Sequence, residues 1–371
     1  MRRFFLSLFC TVVLVCMAIL GSGIPLRAED KVVRKIETRK IPPLMETVRF
    51  EGDIRLCGEV VPYREPSVRE RLEKEVLLAT WNRPQVILWL KRGQRYFPLI
   101  EKILKEENLP LDMKYVPIVE SALRPHSRSG KGAVGYWQFL RSTGRRYGLR
   151  IDGKIDERRN IFASTRAACL YLKKLHKDFG SWLLAMAAYN MGEFGLNTEI
   201  EAQKSRDFFD LYLPLETQRY VLKIVAAKMI MESPETYGYY LSPRDLYPEF
   251  TYSQINFSIN QEIPLSMIAR AADISFKTLK DMNPEIRGYY LNAKKATVLV
   301  PKGKEKGFER RFSDLRKAWK AQDTVRYHVV KNGESLIGIA KKYNMSLAAL
   351  LKLNNFSYKK VIHPGDRIMV R

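Results

Sequence analysis

The chain has 371 residues, 46% hydrophobic and 11% aromatic, and carries a formal net charge of +24. That composition excludes a disordered or fibrous polymer and is long enough for about two or three domains. In a cytosolic protein so basic a chain would point to nucleic acid, but the N-terminus argues for another compartment. Met1, Arg2 and Arg3 precede an apolar stretch from Phe4 to Leu20, and Gly21, Ser22 and Gly23 follow it. This is a charged n-region and an h-region, hence export, with residues 1–28 a signal peptide cut near Ala28 or an N-terminal anchor. Localisation is then the periplasm or cell envelope, with membrane attachment through this segment left open. No nucleic acid partner is expected. Outside the cytoplasm the charge meets acidic envelope polymers and lipid surfaces, or no specific partner.

Cys10 and Cys16 follow Phe9 and Val15, not small residues, so no lipoprotein cleavage site is expected. Cys57 and Cys169 remain in the mature chain, as a pair or as two buried thiols, and make no disulfide framework. Residues 29–66, charged and Pro-containing, read as an extended connector. Helical patterning then runs to about residue 233 without a β-rich block, so residues 67–250 form a mainly α domain. Ser67 is the expected N-cap of the first helix, with Val68, Leu72, Val76 and Ala79 on its inner face. Ala163, Ala167, Leu170 and Leu175 mark the inner face of a later helix that stops at Gly180.

Within that domain, residues 111–121 form an apolar helix on which Met113, Val116, Pro117 and Glu120 share a face. Burial of such a helix raises the pKa of a carboxyl at its end, which suits an acid catalyst near neutral pH. A glutamate after an apolar run is more often a helix end in contact with water, and it is the flanking sequence that makes Glu120 a catalytic candidate. "SGKGAVGYWQF" supplies glycines for close backbone approach, Tyr136, Trp137 and Phe139 as flat surfaces for sugar stacking, and Ser129 and Gln138 as polar groups. "AMAAYNMGE" adds Tyr189 and Asn190 at a helix end. The four histidines are scattered without ligand spacing, and no metal or cofactor is implied.

Beyond residue 250 the sequence repeats itself. "IARAADISFKTLKDMN" at 268–283 aligns without a gap to "IAKKYNMSLAALLKLN" at 339–354. Each copy reads as a β-α-α-β unit. The unit resembles the LysM module, a binder of N-acetylglucosamine-containing glycans. The resemblance places a groove at Gly333, Glu334, Ser335, Leu336 and Asn354 in the second copy, residues 325–371. In the first, residues 252–301, "NQEIPLSM" replaces the glycine turn, so that copy is a degenerate LysM-like module, and residues 302–324 are a charged linker.

Taken in order, "NLPLDMKYVPIVESAL", "GAVGYWQF", "FGSWLLAMAAYNMGE" and "LPLETQRYV", followed by both repeats, resemble the lytic transglycosylases of the lysozyme-like superfamily with C-terminal LysM modules. The chain departs from the family pattern at Leu140-Arg141 and in "GYWQ". The resemblance implies a mainly α lysozyme-like catalytic domain followed by small α+β (βααβ) LysM modules. It implies a carbon–oxygen lyase acting on peptidoglycan glycan strands, with Glu120 as acid and base and Ser129, Gln138, Tyr189 and Glu216 lining the cleft. A muramidase-type hydrolase and a non-catalytic peptidoglycan-binding protein are the alternatives.

Overall fold

The computed structural model describes residues 41–258, 262–291, 295–321 and 326–370. The export segment and the first part of the connector lie outside these residues. The helices that carry the main core are Pro66–Trp81, Arg83–Glu106, Ile161–Phe179, Trp182–Met191 and Leu215–Glu232. Val76, Ile100, Leu172, Leu184 and Val225, one from each, are fully buried in a single cluster. No described helix is long and apolar enough to cross a membrane.

Several local expectations are corrected by the packing. The connector is not merely extended: Arg55–Leu56 and Glu59–Val60 pair as a short hairpin, and Val48, Leu56 and Val61 enter the main core. Glu59 accepts from the hydroxyl of Ser181 at 2.6 Å and from the amide of Trp182, so this hairpin helps to cap helix Trp182–Met191. The first helix starts at Pro66 after Glu65, and not from a Ser67 cap, because the fixed φ of proline suits the first helical position. Leu170 is 49% exposed; the buried ridge of its helix runs through Ala168, Leu172 and Leu175.

The two repeats fold as expected into small βααβ units. In the first, Ser253–Ser258 pairs antiparallel with Lys295–Val300 around helices Leu265–Ala271 and Phe276–Met282. In the second, Arg326–Val329 pairs with Arg367–Val370 around Leu336–Lys342 and Leu347–Leu353. Both copies use one asparagine in the same way. The side-chain amide of Asn283 donates to Leu279 and Leu299 carbonyls, and its oxygen accepts from the Leu299 amide, each at 2.8 Å. Asn354 makes the matching bonds to Leu350 and Met369 at 2.9, 2.8 and 2.7 Å.

The charged linker is also corrected. Residues 308–321 form a 14-residue helix whose Phe308 and Phe312 are buried in the core of the first repeat, with Leu315 and Trp319 packed against it. The charges occupy the remaining faces, which is why the segment reads as solvated.

Candidate active site

Residues 111–121, expected as one helix, divide into a 3-10 turn at Leu111–Tyr115 and helix Val116–Ser121. Pro117 lies at the start of that helix, where its missing N–H costs no intrahelical bond. The helix ends abruptly, since Ala122 and Leu123 both take left-handed φ, 51° and 56°. Consecutive non-glycine residues in that region store strain of about 1 kcal/mol or more each. They are held by the Ala122 amide on Ile118 O at 2.9 Å and the Leu123 amide on Pro117 O at 3.2 Å, while Arg92 donates to Ala122 O at 3.0 Å. Glu120 therefore stands at the last turn of a buried helix, itself half-buried.

Its carboxyl is pushed up to about 7, chiefly by burial, with a smaller push from the Glu216 charge; the Tyr220 hydroxyl acts in the opposite sense. Tyr220, on helix Leu215–Glu232, donates to Glu120 Oε1 at 2.6 Å. Tyr189 stands close enough that, after burial, the Glu120 charge is the main influence holding its phenol in the neutral form.

The wall beside Glu120 is the loop 127–139. Bridges Arg128↔Val134 and Val134↔Phe139 fold it back on itself, and Ser121 Oγ donates to Tyr136 O at 2.7 Å, tying it to the Glu120 helix. Gly135 has φ +90°, and a Cβ there would stand 1.8 Å from the carbonyl oxygen of Arg158. Only glycine fits that approach. This fold corrects the aromatic reading: Tyr136, Trp137 and Phe139 are 3%, 0% and 2% exposed, turned into the core and not offered to a sugar. Trp137 Nε1 donates to Thr165 Oγ1 at 2.9 Å, which satisfies its one polar atom.

The other expected site residues join this loop to the helices. Gln138 donates from Nε2 to Ser127 O at 3.2 Å and Gly135 O at 2.8 Å. Ser129 is exposed, and its hydroxyl accepts from the Ala133 amide at 3.1 Å. Tyr189 donates to Trp137 O at 2.6 Å. Asn190 Oδ1 accepts from Thr217 Oγ1 at 2.9 Å, joining helix Trp182–Met191 to helix Leu215–Glu232. Glu216, on the latter helix, is exposed and stands 3.9 Å from Lys131 of the loop. The other acid by motif, Glu193, is held in ion pairs with Arg146 and Lys174, each at 3.1 Å.

Two residues escaped the sequence reasoning. Tyr220 lies four residues after Glu216 in "LETQRYV", hence one turn along the same face, and its burial demanded a partner for the hydroxyl. Lys131 sat unremarked between two glycines.

In the second repeat, Gly333 is exposed with φ +80°, and Leu336 is half-buried against that module's core. Three of the expected groove residues have structural duties. Glu334 pairs with His328 at 2.6 Å and accepts from the Lys331 amide at 2.8 Å. Ser335 caps its helix by accepting from Gly338 N at 3.2 Å. The Asn354 side chain clamps the last strand through the Met369 backbone.

The candidate site is thus a half-buried carboxyl, faced by a phenol and framed by a glycine-hinged loop on a helical domain. Residues 98–211 match the family described as Transglycosylase SLT domain. Residues 256–317 match the "Lytic transglycosylase MltD, LysM-like domain" family, and residues 328–371 match the LysM domain. The chain thus carries, in this order, an SLT-like region, an MltD LysM-like region and a LysM region. It is 33% identical over 293 residues to Membrane-bound lytic murein transglycosylase D of Escherichia coli K12, covering 75% of this chain and 64% of that protein. It is 35% identical over 117 residues to Peptidoglycan transglycosylase gp16 of Escherichia phage T7, covering 30% of this chain and 9% of that protein. The crystal structure of the 70 kDa soluble lytic transglycosylase SLT70 from Escherichia coli aligns with 48% of this chain and 33% of its own, at 19% identity and a TM-score of 0.34.

Proposed function

We propose that this protein is a peptidoglycan lytic transglycosylase, a carbon–oxygen lyase of the cell envelope that cleaves the β-1,4 bond from N-acetylmuramic acid to N-acetylglucosamine. The observation that carries the proposal is the state of Glu120: half-buried, pushed up to about 7 and in contact with a phenol donor. At neutral pH such a group is protonated in a large fraction of molecules and can also serve as a base.

The protonated Glu120 gives its proton to the glycosidic oxygen, the bond from that oxygen to the anomeric carbon breaks, and an oxocarbenium-like centre remains. The glutamate is now a carboxylate, steadied by the Tyr220 hydroxyl. It takes the proton of the muramoyl C6 hydroxyl as that oxygen bonds to the anomeric carbon, which closes a 1,6-anhydro ring and restores the acid. In this scheme Tyr189, Gln138, Ser129, Asn190 and Glu216 shape the cleft wall. The second LysM copy holds the glycan near Gly333 and Leu336.

A hydrolase cutting the same bond would need a second carboxylate, at about 5 to 5.5 Å for retention or about 6.5 to 9.5 Å for inversion. Glu193 is engaged by Arg146 and Lys174, and Glu216 is exposed beside Lys131. Both facts favour the internal hydroxyl over water. Mass spectrometry of muropeptides released from purified sacculi tests this: anhydromuramoyl ends, one water lighter than hydrolysis products, are expected. Reducing ends that borohydride can reduce would make the enzyme a muramidase.

A further inference from the structure

The first repeat is attached to the catalytic domain through the loop that follows its second helix. The Asp156 amide donates to Glu285 O at 2.9 Å and the Arg287 amide to Lys154 O at 2.7 Å, with Ile155 and Ile286 opposite one another as an antiparallel bridge. Ile155 is buried in the core of the repeat. Asn160 donates to Glu285 Oε1 at 2.9 Å, and Lys154 pairs with Glu262 at 2.9 Å. From within the repeat, Lys280 donates to the carbonyls of Ile286 and Gly288, so the docking edge is held in shape by its own module.

On the catalytic side these contacts end on the residues that hold the loop 127–139. Asp156, 2% exposed, accepts twice from the Arg158 guanidinium, at 2.8 and 2.9 Å. That guanidinium donates to Gly132 O at 3.2 Å and Phe139 O at 3.1 Å, and the Arg158 carbonyl is the one Gly135 packs against. Arg159 reaches His126 at 2.8 Å, at the entry to the same loop.

The stretches of the repeat that correspond to the second copy's groove are closed on themselves. Ile263 pairs with Leu291 and Pro264 with Tyr290, and the Leu265 amide donates to Tyr289 O at 2.8 Å. In the second copy the corresponding first stretch is a turn with Gly333 exposed.

We propose that the first LysM-like repeat is a buttress of the active site and not a glycan binder: residues 285–287 brace the 152–156 hairpin, which positions the loop 127–139 through Asp156 and Arg158. Glu285 is thus a positioning residue. The catalytic consequence rests on the assignment of Glu120 above, while the mechanical claim does not.

The test uses the full chain with Glu285→Lys, which sets a cation near Lys280 and removes the acceptor of Asn160, and with Glu262→Lys, which sets one against Lys154. Hydrogen exchange of peptides spanning 127–139 reads the loop without reference to activity. Exchange there is expected to quicken roughly tenfold or more. Turnover of a short soluble glycan is expected to fall about ten- to hundredfold with KM little changed, and retention on insoluble sacculi to hold. The charge swap Lys154→Glu/Glu262→Lys is expected to recover the protection and turnover lost by Glu262→Lys. A chain whose 285–287 amides open while 127–139 stays protected overturns the proposal. So does full protection of 285–287 in Glu262→Lys/Glu285→Lys, or retention on sacculi that falls with the loop unchanged. If the loop loosens and turnover does not change, the brace stands as mechanics and the role of the loop in catalysis is overturned.

Discussion

Tyr220 donates its hydroxyl to Glu120 Oε1 at 2.6 Å, and so favours the ionised carboxyl in a setting where burial and Glu216 favour the neutral one. The acid is balanced between two states by groups on two helices, Val116–Ser121 and Leu215–Glu232.

Tyr220→Phe removes the one influence that lowers the Glu120 pKa. Since a general acid must be protonated in the free enzyme, kcat/KM falls as pH rises past its pKa. The alkaline limb is expected near pH 7 in the native protein and above it in the variant, with the maximum reduced about tenfold. A pH profile of muropeptide release measures both. An unmoved limb would mean that another group titrates.

Glu120→Gln is expected to abolish cleavage, a loss of about a hundredfold at the least, and to stabilise the fold at alkaline pH. The folded pKa of about 7 lies above the 4.5 of the free group. The fold therefore favours the protonated form, and this stabilisation, complete below 4.5, is lost as pH rises through 7. At pH 8 the variant should be more stable by about 1–2 kcal/mol, or roughly 2–6 °C in Tm. At pH 4 the two proteins should melt together. Equal melting at pH 8 would show that the carboxyl is solvated in the native state.

Gly135→Ala and Gly132→Ala separate backbone strain from collision. Both glycines have positive φ, +90° and +84°, but an added Cβ meets nothing within 4 Å at Gly132 and the Arg158 carbonyl at 1.8 Å at Gly135. Gly132→Ala should cost about 1 kcal/mol. Gly135→Ala should cost more than about 3 kcal/mol and displace the loop. Chemical denaturation of the two variants checks the ranking.

The sequence made the helical domain and both repeats legible because apolar periodicity marks the buried face of a helix and the repeat aligns without gaps. Glu120 was legible only with its flanking motifs, since a carboxylate closing an apolar run is by itself more often a helix end in contact with water. Trp137 was misread because composition says that a ring is apolar, not which way its loop turns; the turn depends on Gly135 meeting Arg158, a contact from a distant segment. The helix Phe308–Ala321 was missed under its charges, although Phe308, Phe312, Leu315 and Trp319 form a stripe at helical spacing. Residues 55–60 form strands too short to leave a periodic trace.

The final prediction concerns Asn354, which the LysM resemblance places in a glycan groove. Its side chain instead donates to Leu350 O and Met369 O and accepts from the Met369 amide, the same set Asn283 makes in the first repeat. Asn354→Ala leaves those backbone groups without their partner, at about 1–3 kcal/mol, in a module whose small core has little stability to lose. In the full chain, hydrogen exchange at Met369 should quicken, and retention on insoluble sacculi should fall in step with it. Asn283→Ala should likewise quicken exchange at Leu299 while leaving retention intact, as the proposal that the second repeat holds the wall requires. Loss of retention by Asn354→Ala with Met369 still protected would return Asn354 to the groove as a ligand of the glycan.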